Sequence, residues 1–169
     1  MTFHLSIELV PRPLWGKSLK QLLPRERWDT LRRQVYRTHR YRCQGCGATD
    51  ITMYCHEVWR YDDEAHVQHL VDLVALCFLC HECIHLGHAS VLAAAGKLDL
   101  EAVAAHFCRV NGYSRDDYAA LREAAFELWA NRSQREWTQD FGRWADLVAA
   151  TETPGPSGPP GAAPPRRRG

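Results

Sequence analysis

Two Cys-x-x-Cys pairs, Cys43/Cys46 and Cys77/Cys80, are the residues of this chain best suited to do chemistry. Each pair can set two thiolates on one ion, and two pairs complete a closed tetrahedron of the kind zinc takes. A four-Cys site has no open position, so the Zn²⁺ it holds is structural. Gly45 and Gly47 permit the tight turn of the first pair. The 30 residues between the pairs have room for a strand, a loop and a return. Cys83 and Cys108 lack paired spacing and read as core residues.

Histidines gather in the same stretch. Six of the nine lie between Cys43 and His88. His81 and His85 are four apart, so one helix presents both on one face, with His88 close to it. Neutral imidazoles at this spacing are a common way to hold a catalytic metal. Cys55-His56-Glu57 falls between the two cysteine pairs, in a run whose composition reads as a strand.

The order of these motifs resembles the HNH endonucleases of the ββα-metal, or His-Me finger, fold. The residues that carry the resemblance are Cys43/Cys46, the string Cys55-His56-Glu57-Val58-Trp59-x-Tyr61-Asp62, and Leu73-x-x-Leu76-Cys77-x-x-Cys80-His81-x-x-x-His85. Trp15-Gly16-Lys17 is a further likeness, to small bacterial and phage proteins of that family. The match covers about residues 41–88. It implies that a strand residue, normally His, takes a proton from water. One divalent ion held by strand and helix polarises the scissile phosphate. An Asn in the loop before the second zinc pair orients the base.

This sequence departs from that pattern twice. Asp72 stands at the Asn position, where it could bind the metal, orient a histidine or simply cap a loop. The strand motif fits two registers. Either Cys55 replaces a metal ligand and His56 is the base, or His56 is the ligand and Glu57 is the base. The second register is favoured because it avoids a soft thiolate on a hard ion and yields three imidazole ligands, His56, His81 and His85. Glu57 could then serve as base if burial raised its pKa, or could fix a metal-bound histidine. The expected catalytic residues are therefore His56, Glu57 and Asp72. The second divalent metal could be Mg²⁺, Mn²⁺, Zn²⁺, Ni²⁺ or Cu²⁺.

Several elements must position these groups. Helical spacing of Trp28, Leu31 and Val35 predicts a basic amphipathic helix over 24–39, with Pro24 in its first turn. Residues 51–62 predict a strand, 62–66 a polar turn, and 71–77 a short extended or looped run. HECIHLGHA reads as helical, with Cys80 near its start. Leu100, Val103, Ala104 and Phe107 predict a helix ended by Gly112. Ser114-x-x-Asp117 reads as a capping box before an apolar stripe at Tyr118, Leu121, Ala125 and Leu128. Ser133-x-x-Glu136 predicts another box, before Trp137, Phe141, Trp144 and Val148. Both stripes are expected to pack in the core.

The organisation expected is α+β: an arm and basic helix (1–40), a zinc-supported ββα-metal domain (41–90), a helical extension (91–150) and a disordered Pro/Gly-rich tail (151–169). In that tail, six Pro and four Gly leave little apolar surface to offset ordering entropy.

Composition sets the remaining limits. The 169 residues are 46% hydrophobic and 24% charged, with a net charge of +1, an ordinary globular balance. Residues 12–42 hold ten Lys/Arg against two acids, whereas 50–72 hold six acids against one Arg. The basic helix 24–39, with Arg40 and Arg42, would track phosphates; the acidic stretch 57–64 is awkward beside DNA. The apolar runs are too short for a membrane span. The opening residues lack the pattern of a signal peptide, and seven Cys is an odd number, so reduced thiols in the cytoplasm are expected. These observations predict a DNA endonuclease. A metalloenzyme with a three-His site acting on another substrate, or a non-catalytic zinc module that binds DNA or protein, are the alternatives.

Overall fold

The molecule is described by a computed structural model covering residues 3–152. At its centre, β1 (Met53–Asp62) and β2 (Val67–Cys77) form an antiparallel hairpin. Both strands are rich in β-branched and aromatic residues, which suit a pleated, half-buried surface. The turn between them is fixed by Asp62, whose Oδ1 accepts from the N–H groups of Glu64 and Ala65. The pairing runs from Met53 opposite Cys77 to Asp62 opposite Val67, with a slip between Val58 and Trp59, and sets His56 opposite Val74. A short parallel strand, β3 (Thr138–Asp140), pairs with the other edge of β2. The order β1-β2-β3 leaves the outer edge of β1 open.

The hairpin runs directly into α3 (Phe78–Ile84), so its order is ββα. Before the sheet come a one-turn α1 (Leu19–Leu22) and α2 (Arg25–Thr38). After α3 come α4 (Leu86–Ala94), α5 (Leu100–Asn111), α6 (Arg115–Arg132) and, beyond β3, α7 (Ala145–Glu152). None of the helices among the described residues is long and apolar enough to cross a membrane.

Side-chain alternation along the strands builds two cores. On one face Val74 and Leu76 pack with Leu5, Ile84, Leu86, Val103 and Phe107. On the other, Leu73 and Ala75 pack with Leu19, Leu23, Trp28, Val35, Tyr36, Trp144 and Val148. Full burial of such side chains contributes about 1.5–3 kcal/mol each. The mixed α+β class, the basic helix near 24–39 and the strand within 51–62 agree with expectation.

Other expectations need correction. Pro24 precedes α2 as its N-cap instead of entering the first turn. The run expected at 71–77 is the end of a strand that starts at Val67, because pairing with β1 extends it past Asp72. The arm expected before the basic helix packs against the rest of the chain from Phe3 onward. Leu5 is 1% exposed, and Glu8 donates its N–H to Ile84 O. HECIHLGHA is two helices that break at His85, where ψ is 57°.

Gly112, at φ 72°, ends α5 as predicted, and Ser114 and Asp117 form the capping box. The stripe on α6 is not core: α6 has no buried residue, and Leu121 and Leu128 are exposed. Both sheet faces are already covered by other elements, so α6 packs at the periphery: Tyr118 packs on Phe107 of α5, Trp129 donates to Val10 O, and Arg132 pairs with Asp63. The predicted second box fails too. Ser133 ends α6, and the chain then extends into β3. Trp137, Trp144 and Val148 are buried nonetheless, from three separate segments. From residue 153 the Pro/Gly-rich tail lies outside the described residues; Thr151 and Glu152 close α7.

Candidate metal centre

The knuckle at 43–46 lies against the start of α3. The four thiols of Cys43, Cys46, Cys77 and Cys80 fall within 4.8 Å of one another. Cys43, Cys77 and Cys80 are buried and Cys46 is exposed. Backbone N–H groups are aimed at the sulfurs: Cys77 N donates to Cys43 Sγ at 3.2 Å and Cys80 N to Cys77 Sγ at 3.4 Å. Hydrogen bonds from the Cys77 and Cys80 thiols push the Cys43 thiol down toward the thiolate. This is the donor set of a closed zinc site.

His106, which the sequence reading missed, completes the surroundings. Its Nε2 lies 3.1 Å from Cys80 Sγ, and its Nδ1 lies 2.7 Å from Arg109 Nη2. Arginine is only a donor, so Nδ1 accepts and Nε2–H donates to the sulfur. With four thiolates on an ion, that bond would partly neutralise their charge. His106 comes from α5, 26 residues beyond Cys80, and no local spacing announced it. Of the three cysteines outside this cluster, Cys83 is buried and Cys55 and Cys108 are half-buried.

The second cluster lies at the other end of α3. His56, His81 and His85 each bring a ring nitrogen within 4.8 Å of the others. His56 Nδ1 and His85 Nε2 are 3.1 Å apart. Two imidazole nitrogens on one tetrahedral ion, each about 2.0–2.1 Å from it, are separated by roughly 3.3 Å, so the pair fits. Burial, then His85 and His81, holds the pKa of His56 well below the ordinary imidazole value. Burial, then His81, holds His85 down to about 3. Both rings are therefore held as neutral imidazoles, the form that a metal ion would need. His56 Nε2 is buried with no hydrogen-bond partner. An ion on His56 Nδ1 and His85 Nε2 would offset the desolvation that the fold imposes on those two nitrogens; it would not reach His56 Nε2.

A carboxylate absent from the sequence reading holds this cluster. Glu82 is 1% exposed. Its Oε1 accepts from His81 Nδ1 at 3.1 Å and its Oε2 from His88 Nδ1 at 2.8 Å. Burial alone would push the carboxyl up, but the two histidine bonds prevail and keep its pKa below the usual value. Because a carboxylate only accepts, both Nδ1 atoms carry the proton, and His81 Nε2 is the free ligand nitrogen. The only advance signal was an acid between two histidines, in His81-Glu82-Cys83-Ile84-His85.

Glu57 does not join the imidazoles. Next to His56 on a strand, it points to the opposite face. There its Oε1 accepts from Lys20 N at 3.4 Å, while Oε2 is buried without a partner. Burial raises its pKa, as a base would need, but on the wrong side of the sheet. Asp72 is also engaged elsewhere. Its Oδ1 accepts from Arg143 Nη2 at 2.6 Å and from the Leu73 N–H. Cys55 faces the second core with Met53, and burial pushes its thiol up to about 12, which suits an inert core thiol.

A cleft of about 840 Å³ borders the open edge of β1. His81, His85 and His88 line it together with Lys17, Lys20, Arg25 and Arg32. Carboxylates of Glu8, Asp29 and Glu57 line it too. No family model matches the chain, and no curated protein or solved structure matches it.

Proposed function

We propose that the protein is a metal-dependent endonuclease of the HNH type, hydrolysing phosphodiester bonds in DNA. The observation that carries this reading is the meeting of His56, from the strand, with His81 and His85, from the end of α3, beside a cleft that also holds four cationic side chains. The ββα order and the four-Cys clamp at the helix start support it.

His56, His81 and His85 would hold the divalent ion. Bound there, the ion supplies a Lewis acid with its full positive charge, because its ligands are neutral. Three imidazoles suit Zn²⁺, Ni²⁺ or Cu²⁺ better than Mg²⁺, which takes oxygen ligands. Lys17, Lys20 and Arg25 would hold the phosphate backbone along the cleft. Such contacts place the nucleic acid without reading its sequence. Burial holds His56 and His85 neutral, which keeps protons off their ligand nitrogens.

A second reading, a metalloenzyme acting on a substrate other than DNA, has one observation in its favour. Asp29 engages Arg32 at 2.7 Å and Arg25 at 3.9 Å, so part of the cleft's positive charge is neutralised within the chain.

Metal analysis and plasmid nicking test these readings together. The nuclease predicts two metals per chain. His81→Ala should then lose the second metal and all cleavage while keeping the structural zinc. One metal per chain in the parent would leave a non-catalytic zinc module. Two metals without nicking would favour the second reading.

A further inference from the structure

Neither Glu57 nor Asp72 joins the histidine cluster, and His56 is taken there as a ligand, so the proposed site needs a separate proton acceptor. His88 is the group that remains. It lines the cleft with His81 and His85. Its side chain is 57% exposed, and its Nδ1 lies 2.8 Å from Glu82 Oε2. The carboxylate takes the Nδ1 proton, so the free nitrogen of His88 is Nε2, on the far side of the ring from Glu82. The other oxygen of Glu82 holds His81 in the same tautomer. One buried carboxylate thus sets two imidazoles, one inside the metal cluster and one exposed at the cleft.

We propose that His88 is the proton acceptor of this site and that Glu82 is a positioning residue shared by His88 and the ligand His81. The inference rests on the metal-dependent reading above. In the step it describes, a water oxygen forms a bond to phosphorus and its proton passes to His88 Nε2. The bond from phosphorus to the leaving sugar oxygen breaks, and that oxygen keeps the electron pair and takes a proton from solvent. Glu82 stays ionised throughout. It fixes the ring and stabilises the imidazolium that forms, as carboxylate partners of histidine do elsewhere.

Glu82 and His88 separate by what each should alter. In the full chain, ring-nitrogen NMR should show the Nδ1–H form for both His81 and His88. Glu82→Gln should weaken Co²⁺ binding at the second site by about 10–100-fold and leave the four-Cys site loaded. His88→Gln should bind Co²⁺ within about threefold of the parent yet nick supercoiled plasmid at least ~100-fold more slowly at saturating metal. His88→Gln nicking at the parental rate overturns the acceptor role while the nuclease reading stands. Parental Co²⁺ affinity in Glu82→Gln, or an Nε2–H form of His88 in the parent, overturns the positioning role. A parent that binds Co²⁺ at both sites but nicks nothing overturns the nuclease reading and the acceptor role with it. The tautomers and the Glu82→Gln affinity would still decide for or against Glu82.

Discussion

Gly45 sits where the four-Cys knuckle meets α3. A methyl group there would lie 2.9 Å from Cys80 Sγ, 3.1 Å from Leu5 Cδ2 and 3.4 Å from Cys80 Cβ. Ordinary carbon contacts begin near 3.5 Å, so the overlap with the sulfur is about 0.6 Å. Leu5 can shift, but Cys80 Sγ is held by His106 and by the geometry of the four-thiol cluster. Overpacking of this sort costs about 1–3 kcal/mol. The backbone at Gly45 is not in the left-handed region, so alanine returns about 0.4–1 kcal/mol by restricting the unfolded chain. The net for Gly45→Ala is about 1–2 kcal/mol, or roughly a 5–30-fold loss of zinc affinity. Gly47→Ala is the control. Its φ is +76° and its nearest neighbour would be Arg42 at 3.5 Å, so it strains the backbone without touching a sulfur. Chelator competition and the visible spectrum of the Co²⁺-substituted four-Cys site separate the two. Gly45→Ala should weaken binding and shift the thiolate-to-cobalt bands, whereas Gly47→Ala should lower stability with the bands in place. Parental affinity and spectrum in Gly45→Ala would refute the packing argument.

Cys77→Ala should lose the structural zinc and cooperative unfolding, because zinc binding is coupled to folding; calorimetry and metal analysis read both. Reversing Arg32 and Arg33 to Glu should weaken DNA binding and flatten its salt dependence, measured by fluorescence anisotropy at several salt concentrations. Glu57→Gln should keep both metals and spare plasmid nicking, since Glu57 faces away from the imidazoles; abolished nicking would place the base there after all. Burial raises the pKa of Glu8 against the opposing effects of Ser6 and Arg132. A carboxyl raised in the folded state favours folding below its unfolded value near 4.5 and loses that contribution as pH rises through the folded value. Glu8→Gln should therefore gain melting temperature relative to the parent between pH 4.5 and 7.

The cysteine framework was legible because a metal ligand set repeats a fixed local spacing, and spacing survives without knowledge of the fold. His81 and His85 were found by the same logic, although the helix bends at His85 and tertiary packing brings the rings together. Glu57 was misplaced because the reading followed chemistry over geometry. If Cys55 faces the core, strand alternation already puts Glu57 beside it and away from His56. Glu82 and His106 were not legible, since their roles depend on burial and on a contact 26 residues away. The C-terminal stripe misled for another reason. Trp137, Phe141, Trp144 and Val148 keep helical spacing, yet the free edge of β2 offers pairing, and Gly142 at φ 49° stops a continuous helix there.

The parallel pairing of β3 with β2 joins Val67 to Thr138, Gln68 to Gln139 and His69 to Asp140. Every residue of both clusters, and Glu82 and His88 with them, is synthesised by residue 88. The strand that covers the outer edge of β2 comes some 70 residues later. At about 5–20 residues per second, that edge waits for several seconds on the ribosome without its partner. An uncovered strand edge is a template for pairing with other chains. Metal taken up during that interval would lock the hairpin to α3 before the edge is capped.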